Sequence, residues 1–318
     1  MSGVLVLDRR QTAASLEPTA VLDAVGRALV AVARGEVSVP PRIAALTPAG
    51  LLGAMPGYVT GLGLAAKLVT VTADPEHPGR SFHRGLVVLF DEHDGRALAL
   101  VDAEALTEVR TAASATHSAL ALAARPGLGR VTVVGTGAQA RAQLALLSAV
   151  RPQAEVTVAG RDPVRAGEAA ALFPGAQVAT GIEDAVRTAD VVFCCTGATA
   201  PVVRREWLSP GVHVSSVGGS QGPELDPGTI RDAALFAEWT GAAASPPPAG
   251  AHELQDLPPG RPVTLLGSVL AGDHPGRGGD TGALTVFKST GHAALDVAAV
   301  RVAYDVARAR GLGVRVDL

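Results

Sequence analysis

The sequence predicts an α/β protein in two parts: a mostly parallel sheet covered by helices, and an α+β part with a largely antiparallel sheet. Three observations carry this. The chain has 318 residues, about twice the usual length of one domain. Its middle alternates short apolar runs with helical stretches, the pattern of a parallel sheet. Its first hundred residues instead separate apolar runs by turn signals alone.

Residues 18–34 carry Leu22, Val25, Leu29 and Val32 at helical spacing and stop at Gly35, which predicts an amphipathic helix with a glycine cap. From about Arg42 to Asp102 the period changes. Ala65–Val71 and Leu86–Phe90 are apolar runs, and Asp74-Pro75 and Glu92-His93-Asp94-Gly95 are turn signals, so an antiparallel sheet is expected. Residues 103–124 read as a helix around Leu106, Val109, Ala113 and Leu120.

Val131–Val134 then leads into Gly135-Thr136-Gly137-Ala138-Gln139-Ala140 and an Ala/Leu-rich helix. Strand, Gly-x-Gly-x-x-Ala and helix in this order are the fingerprint of a Rossmann dinucleotide-binding domain. Gly135 permits the tight turn, Gly137 lets the backbone approach a pyrophosphate, and Ala140 lets helix pack on strand. Further strands are expected at Glu155–Ala159, Asp190–Cys195, Val212–Val217 and Ala234–Glu238. Between Gly241 and Gly282 the chain is rich in Gly and Pro, so much of it should be loop, with room for a mobile flap. Residues 292–310 place Leu295, Ala298, Val302 and Val306 on one helical face, with Arg308 and Arg310 before Gly311. This last helix is expected to return to the first part. The expected domains are residues 113–290, and residues 1–112 together with 291–318.

Composition narrows the function. Hydrophobic residues are 47% and aromatics 3%, so the core is built from Ala, Val and Leu. Lys plus Arg number 27 against 30 Asp plus Glu, a formal charge of -3, and no basic block could follow a phosphate backbone. Nucleic acid is therefore not an expected partner. The two cysteines, Cys194 and Cys195, are neighbours in an apolar run and point to opposite faces of a strand, so inert buried thiols in a reducing compartment are expected. MSGVLVLDRR lacks the basic start and long apolar stretch of a signal peptide. Ile43–Ala66 is uncharged, but Pro48, Pro56 and five glycines favour buried turns and strands over a membrane span. A cytoplasmic protein with no membrane contact and no metal site follows.

At the end of the second Rossmann strand the chain reads Ala159-Gly160-Arg161-Asp162-Pro163. Two readings of Arg161 stand. It pairs with an adenosine 2′-phosphate, favouring NADP, or it is a solvated charge beside a helix capped by Asp162 and started by Pro163, which leaves NAD open. Lys67 lies inside an apolar segment, where a buried ammonium needs a partner and a substrate carboxylate would serve.

Pro41-Arg42, Gly53–Tyr58, Ala66–Val69, Val109–Ala113, the Gly135 loop and Thr285–Gly291 together give the chain a specific resemblance to the ornithine cyclodeaminase and mu-crystallin family along nearly its whole length. The resemblance implies a homodimer whose α+β domain carries dimerisation and substrate, with the nicotinamide held by the Rossmann domain. It implies that Arg42, Lys67 and Arg110 gather around an amino- or imino-acid carboxylate, and that Lys67 or His83 manages a proton. For His83 a satisfied loop histidine stands equally beside that role. Asp102 and Glu104 read as cap or solvated charge for the helix that follows. To the loop residues Gly135, Thr136, Gly137, Ala138 and Gln139 and to Arg161 the cofactor set adds Arg110, Thr111, Thr196 and Ser289.

One departure matters. Cyclodeaminases carry an aspartate where this chain has Ser220, as ketimine-reductase-like members also do. Serine lacks the charge to hold a second ammonium or act as base, though Ser220 stays in the catalytic set. The segment Gln221–Asp226 is also two residues short of the family's usual spacing, leaving Glu224 and Asp226 free to swing toward that place. The expected function is NAD(P)H-dependent reduction of a small α-imino acid, the reverse being amino-acid dehydrogenation. The alternatives are ornithine cyclodeamination with bound NAD and a non-catalytic binding protein.

Overall fold

The computed structural model describes residues 3–73, 81–219 and 221–317. The chain divides into two compact units, one running up to Arg110 and resuming at His292, the other spanning Thr111–Gly291.

The first unit opens with β1 (Val4–Val6), α1 (Arg9–Ser15) and α2 (Pro18–Arg34). Both helices start where the sequence supplies caps. Asp8 and Gln11 form a capping box for α1, and the Glu17 carboxylate accepts from Thr19 N and Ala20 N, with Pro18 at the first turn of α2. Gly35, at φ 71°, stops α2. There follow β2 (Val37–Ser38), β3 (Ile43–Thr47), β4 (Gly50–Val59), β5 (Gly63–Ala73), β6 (Ser81–Phe90) and β7 (Ala97–Asp102). Neighbours from β3 to β7 are antiparallel, and β2 pairs antiparallel with β4. Gly95, at φ 76°, lies in the expected turn between β6 and β7, whereas Asp74-Pro75 lies outside the described residues. Asp102 Oδ1 accepts from Ala105 N and caps α3 (Ala103–Leu122), a helix whose first eight residues belong to the first unit and the rest to the second.

The second unit runs β8 (Arg130–Val134), α4 (Ala138–Val150), β9 (Glu155–Ala159), α5 (Pro163–Ala170), β10 (Gln177–Val178), α6 (Ile182–Arg187), β11 (Val191–Cys194), β12 (His213–Ser216), α7 (Pro227–Asp232) and β13 (Ala234–Ala237). It continues with α8 (Gly241–Ala244), β14 (Val263–Leu265), α9 (Leu266–Leu270) and β15 (Thr285–Lys288). Its strand order is β10-β9-β8-β11-β12-β15-β13-β14, every pair parallel. The order reverses between β8 and β11, which places a ligand crevice at the carboxyl ends of these two strands. Alternate strand residues feed two apolar layers, Val192 and Cys194 on one face, Phe193 and Cys195 on the other. The thiols are thus separated and buried, and burial pushes both well above the ordinary range.

Much of the stretch between Gly241 and Gly282 is loop, as expected. It also holds the short elements α8, β14 and α9, and is pinned by buried Ala242, Leu254 and Leu266. Arg277 anchors its end, donating to Leu122 O at 2.7 Å and Thr285 Oγ1 at 3.1 Å.

The chain then returns to the first unit through α10 (Ala293–Arg310), ended by Gly311 at φ 66°, and β16 (Val314–Val316). The helix packs on α2, β4 and β5. Leu295 and Ala298 are buried as expected, while in the second half of the helix Ala303, Tyr304 and Ala307 lie inside and Val302 and Val306 are half-buried. β16 completes a sheet ordered β16-β1-β7-β6-β5-β4-β2, with β3 on β4.

Candidate functional site

In the first unit, β5 points Lys67 toward the covered face of the sheet. Lys67 pairs with Met55 on β4 and Val87 on β6, and its side chain is 7% exposed. Its neighbour Leu68 faces the other way. Arg42 precedes β3, whose Ile43 pairs with Ala54, so Arg42 enters the Lys67 row from the far edge. His83 lies on the same face four residues from Val87. From α3, Thr107 and Arg110 are three residues apart and share a helix face.

Lys67 Nζ donates to Thr107 Oγ1 at 2.7 Å, and that hydroxyl spends its own proton on Ala103 O at 2.6 Å. The lysine also lies 3.6 Å from Asp296 Oδ1. The same oxygen accepts from Arg110 Nε at 3.1 Å. Asp296 is buried in the first turn of α10, where the helix dipole favours a carboxylate. Its Oδ2 has no hydrogen bond among the described residues.

Burial pulls Lys67 down to about 8, opposed by the charge of Asp296 and reinforced by Arg110 and Arg42. His292, just before α10, is held near 4 by burial, against the pull of Asp296. His83 is exposed but lies below its ordinary value through desolvation and then the Lys67 charge. Lys67 and Arg110 therefore share one carboxylate oxygen while the charge of Arg42 also acts on Lys67, an arrangement that favours an incoming anion.

The sequence offered a substrate carboxylate as a partner for Lys67; the protein also sets Asp296 beside it. Two signals for this pair were present. Asp296 is the lone charge in Ala293–Val300, and the chain has only two lysines, Lys67 and Lys288, against 25 arginines. Both lysines are buried beside carboxylates.

In the second unit the glycine loop has the form a dinucleotide needs. Gly135 has φ 122°, and a Cβ there would run into the carbonyl of Cys195. Gly137 begins α4 with no side-chain cap and open space where a Cβ would stand. As the N-cap, Gly137 brings no side chain to the start of α4, so the helix N-terminus is open to an anion. Ala140 is fully buried against the strand. These residues fit a pyrophosphate. Thr136 lends its carbonyl to Arg141 Nε at 3.4 Å, and Thr111 is buried in α3.

Thr196, after β11, gives its N–H and hydroxyl to Glu224 Oε1 at 2.7 and 2.6 Å. The other oxygen of Glu224 accepts from Ser216 Oγ at 2.7 Å and Gly218 N at 2.9 Å. Lys288 donates to Ser216 Oγ, Gly218 O and Glu253 Oε1. The expectation that Glu224 and Asp226 swing outward is therefore corrected: Glu224 is fully buried, and Asp226 caps α7 through Thr229 and takes the N–H of Arg205. Ser220 lies outside the described residues. The Ser289 hydroxyl is turned inward onto Glu238 at 2.6 Å. Arg161 is exposed, and Asp162 caps α5 through Val164 N and Arg165 N.

Among the described residues no helix is long and apolar enough to cross a membrane, and no group of three His, Cys, Asp or Glu could hold a metal ion.

Residues 4–311 match the family model described as the ornithine cyclodeaminase/mu-crystallin family. The chain is 32% identical over 260 residues to the ketimine reductase mu-crystallin of Mus musculus, covering 80% of each chain. Its fold matches that of Thermococcus litoralis Delta(1)-pyrroline-2-carboxylate reductase, solved with NADH and L-proline, at TM-score 0.85 and 26% identity, over 98% of this chain and 100% of that one. It also matches the iminosuccinate reductase of Paracoccus denitrificans, solved with NAD+, at TM-score 0.87 and 25% identity, over 99% of this chain and 100% of the other.

Proposed function

Because the chain belongs to the ornithine cyclodeaminase/mu-crystallin family, we propose that it is an NAD(P)H-dependent reductase of a small cyclic or linear α-imino acid, running in reverse as an amino-acid dehydrogenase. The observation that carries this reading is the pairing of Lys67 and Arg110 on one oxygen of the buried Asp296, with the charge of Arg42 acting on the same lysine. The relatives named above are reductases of ketimine, pyrroline-2-carboxylate and iminosuccinate.

Arg42, Lys67 and Arg110 hold the substrate carboxylate, which adds a second negative charge to the one oxygen of Asp296 that Lys67 and Arg110 share. Lys67, near 8, carries a proton at neutral pH and can release it to the imine nitrogen, with His83 as the second proton carrier. The bound reduced dinucleotide supplies the hydride for the imine carbon. In the second unit, Gly135, Thr136, Gly137, Ala138 and Gln139 cradle its pyrophosphate, and Thr111, Thr196 and Ser289 complete the lining. Arg161 reaches the 2′-phosphate, so NADP is the preferred cofactor and NAD a weaker one. Fixing the carboxylate orients the imine, and this supplies most of the rate.

The working form is a homodimer in the cytoplasm. In support, Ile43, Ala54, Leu68 and Leu86 form one cross-strand row, whose three large side chains are exposed, a patch that a second copy covers. The unbridged thiols suit a reducing compartment. The lyase reading loses support because Glu224 and Asp226, the acids next to Ser220, are engaged elsewhere. Oxidation of NADPH and NADH with pyrroline-2-carboxylate, piperideine-2-carboxylate, and pyruvate plus amines tests the assignment.

A further inference from the structure

Asp296 meets both cations through one oxygen, and the way it does so leaves their other donors available. It takes Arg110 at Nε, 3.1 Å away, and no hydrogen bond holds Nη1 or Nη2 among the described residues. The guanidinium is thereby fixed with its terminal fork open, the geometry that receives a carboxylate with two parallel bonds. Lys67 has three N–H donors. Thr107 takes one, Asp296 attracts a second, and the third is open.

We propose that Asp296 is the positioning residue of this site: its Oδ1, set between Lys67 Nζ and Arg110 Nε, aims the lysine and the arginine fork at one carboxylate and holds the lysine as an ammonium. The proposal rests on the reductase reading and adds a residue to it. A buried Asp whose only task was to pair Arg110 would take the guanidinium side-on through both of its oxygens; here Oδ2 is buried without a hydrogen bond.

The surroundings of Lys67 show why an anion is required. From α3 it faces Arg110 and Thr107, from the edge of β3 Arg42, from β6 His83, and from α10 Asp296, with His292 beside that carboxylate. Burial, Arg110 and Arg42 all pull the ammonium down, and Asp296 pulls it up. Arginine fills the chain's 25 other cationic positions and does not lose its proton. Lysine at 67 therefore gives the site a transferable proton, and Asp296 keeps that proton on it at neutral pH.

The chain's two lysines make the test direct. Protein labelled with 13C at the lysine ε-carbon gives two signals, and Lys67→Arg assigns them. In the wild type the Lys67 signal should titrate near 8. Asp296→Asn should lower that midpoint by about one unit or more and raise KM for pyrroline-2-carboxylate about tenfold or more, with NADH affinity and the Lys288 signal unchanged. An unmoved Lys67 midpoint beside a native Lys288 signal overturns the proposal. If the Asn variant does not fold, Asp296→Glu decides: it keeps the charge but displaces the oxygen, so the midpoint should stay near 8 while KM rises, and an unchanged KM overturns the positioning role. Activity of Lys67→Arg is read separately. Full imine reduction by that variant refutes the proton role of Lys67 without deciding where Asp296 places it.

Discussion

Glu224 Oε1 receives both the backbone N–H and the hydroxyl of Thr196, at 2.7 and 2.6 Å. Its second oxygen receives Gly218 N, so one carboxylate ties the loop after β11 to the loop after β12. Both loops leave the carboxyl ends of parallel strands, where a dinucleotide binds. Glu224→Gln would turn an amide N–H toward at least one donor, leaving a buried group unsatisfied at a cost of about 1–3 kcal/mol. The expected outcome is NADH and NADPH binding weakened about tenfold, since 1.4 kcal/mol is a factor of ten. Fluorescence titration of the bound reduced dinucleotide measures it, and unchanged affinity would separate this tie from the cofactor.

Arg110 should be needed for the carboxylate. Arg110→Ala removes a charge that holds the substrate carboxylate and takes from the buried Asp296 its 3.1 Å partner, so a loss of about 2–5 kcal/mol in transition-state binding is expected. Steady-state kcat/KM with an imino acid reads it directly. Arg110→Lys should recover little, because an ammonium cannot present a fork. If the Ala variant keeps wild-type kcat/KM, Arg110 has no part in the site.

The fold was legible where periodicity and punctuation agree. Gly35 and Gly311 end their helices as glycine caps, and β9 begins and ends at the expected Glu155 and Ala159. The short elements between Gly241 and Gly282 were hidden because Gly and Pro break the local pattern, while single buried residues such as Leu254 and Leu266 hold the segment from outside it. In α10 the inner face is largely alanine, so its apolar stripe is too weak to separate from the valines one position away. Lys67 drew attention as a charge inside an apolar strand. Asp296 satisfies the same rule in a helix, but its pairing with Lys67 and Arg110 comes from tertiary contact between β5, α3 and α10, which no local spacing records. Glu224 read as a mobile acid because its four donors come from Thr196, Ser216 and Gly218, residues brought to it by strand order.

Cofactor choice is expected to turn on Arg161, exposed after β9 beside a helix already capped by Asp162. A guanidinium there adds a charge-assisted contact to the 2′-phosphate of NADPH and none to NADH. Arg161→Ala should therefore weaken NADPH much more than NADH. Dissociation constants for the two cofactors check this, and equal losses would make Arg161 a surface charge only.

Acid stability should follow His213. Its ring is fully buried between Ser118 Oγ at 3.0 Å and Thr285 Oγ1 at 2.9 Å, and burial, helped by the charge of Arg277, lowers it to about 3 from 6.5. The unfolded imidazole binds a proton below 6.5 and the folded one does not until about 3. Stability from this residue is therefore complete above 6.5 and falls as pH drops through that window, by roughly 3–5 kcal/mol in all. Urea unfolding of wild type and His213→Gln at neutral and acidic pH tests it: the variant should be less stable at neutral pH yet lose less on acidification. Parallel losses in the two proteins would place the acid sensitivity elsewhere.

The reductase assignment is tested most directly by giving the purified protein two substrates side by side and following the nicotinamide absorbance together with proline and ammonia. With pyrroline-2-carboxylate and NADPH, the cofactor should be oxidised in step with proline formed. With ornithine and no added NAD(P)H, neither proline nor ammonia should accumulate, because the lyase step needs an acid at the Ser220 position. Rapid conversion of ornithine to proline and ammonia, without reduction of the imino acid, would contradict the account and make the protein a cyclodeaminase.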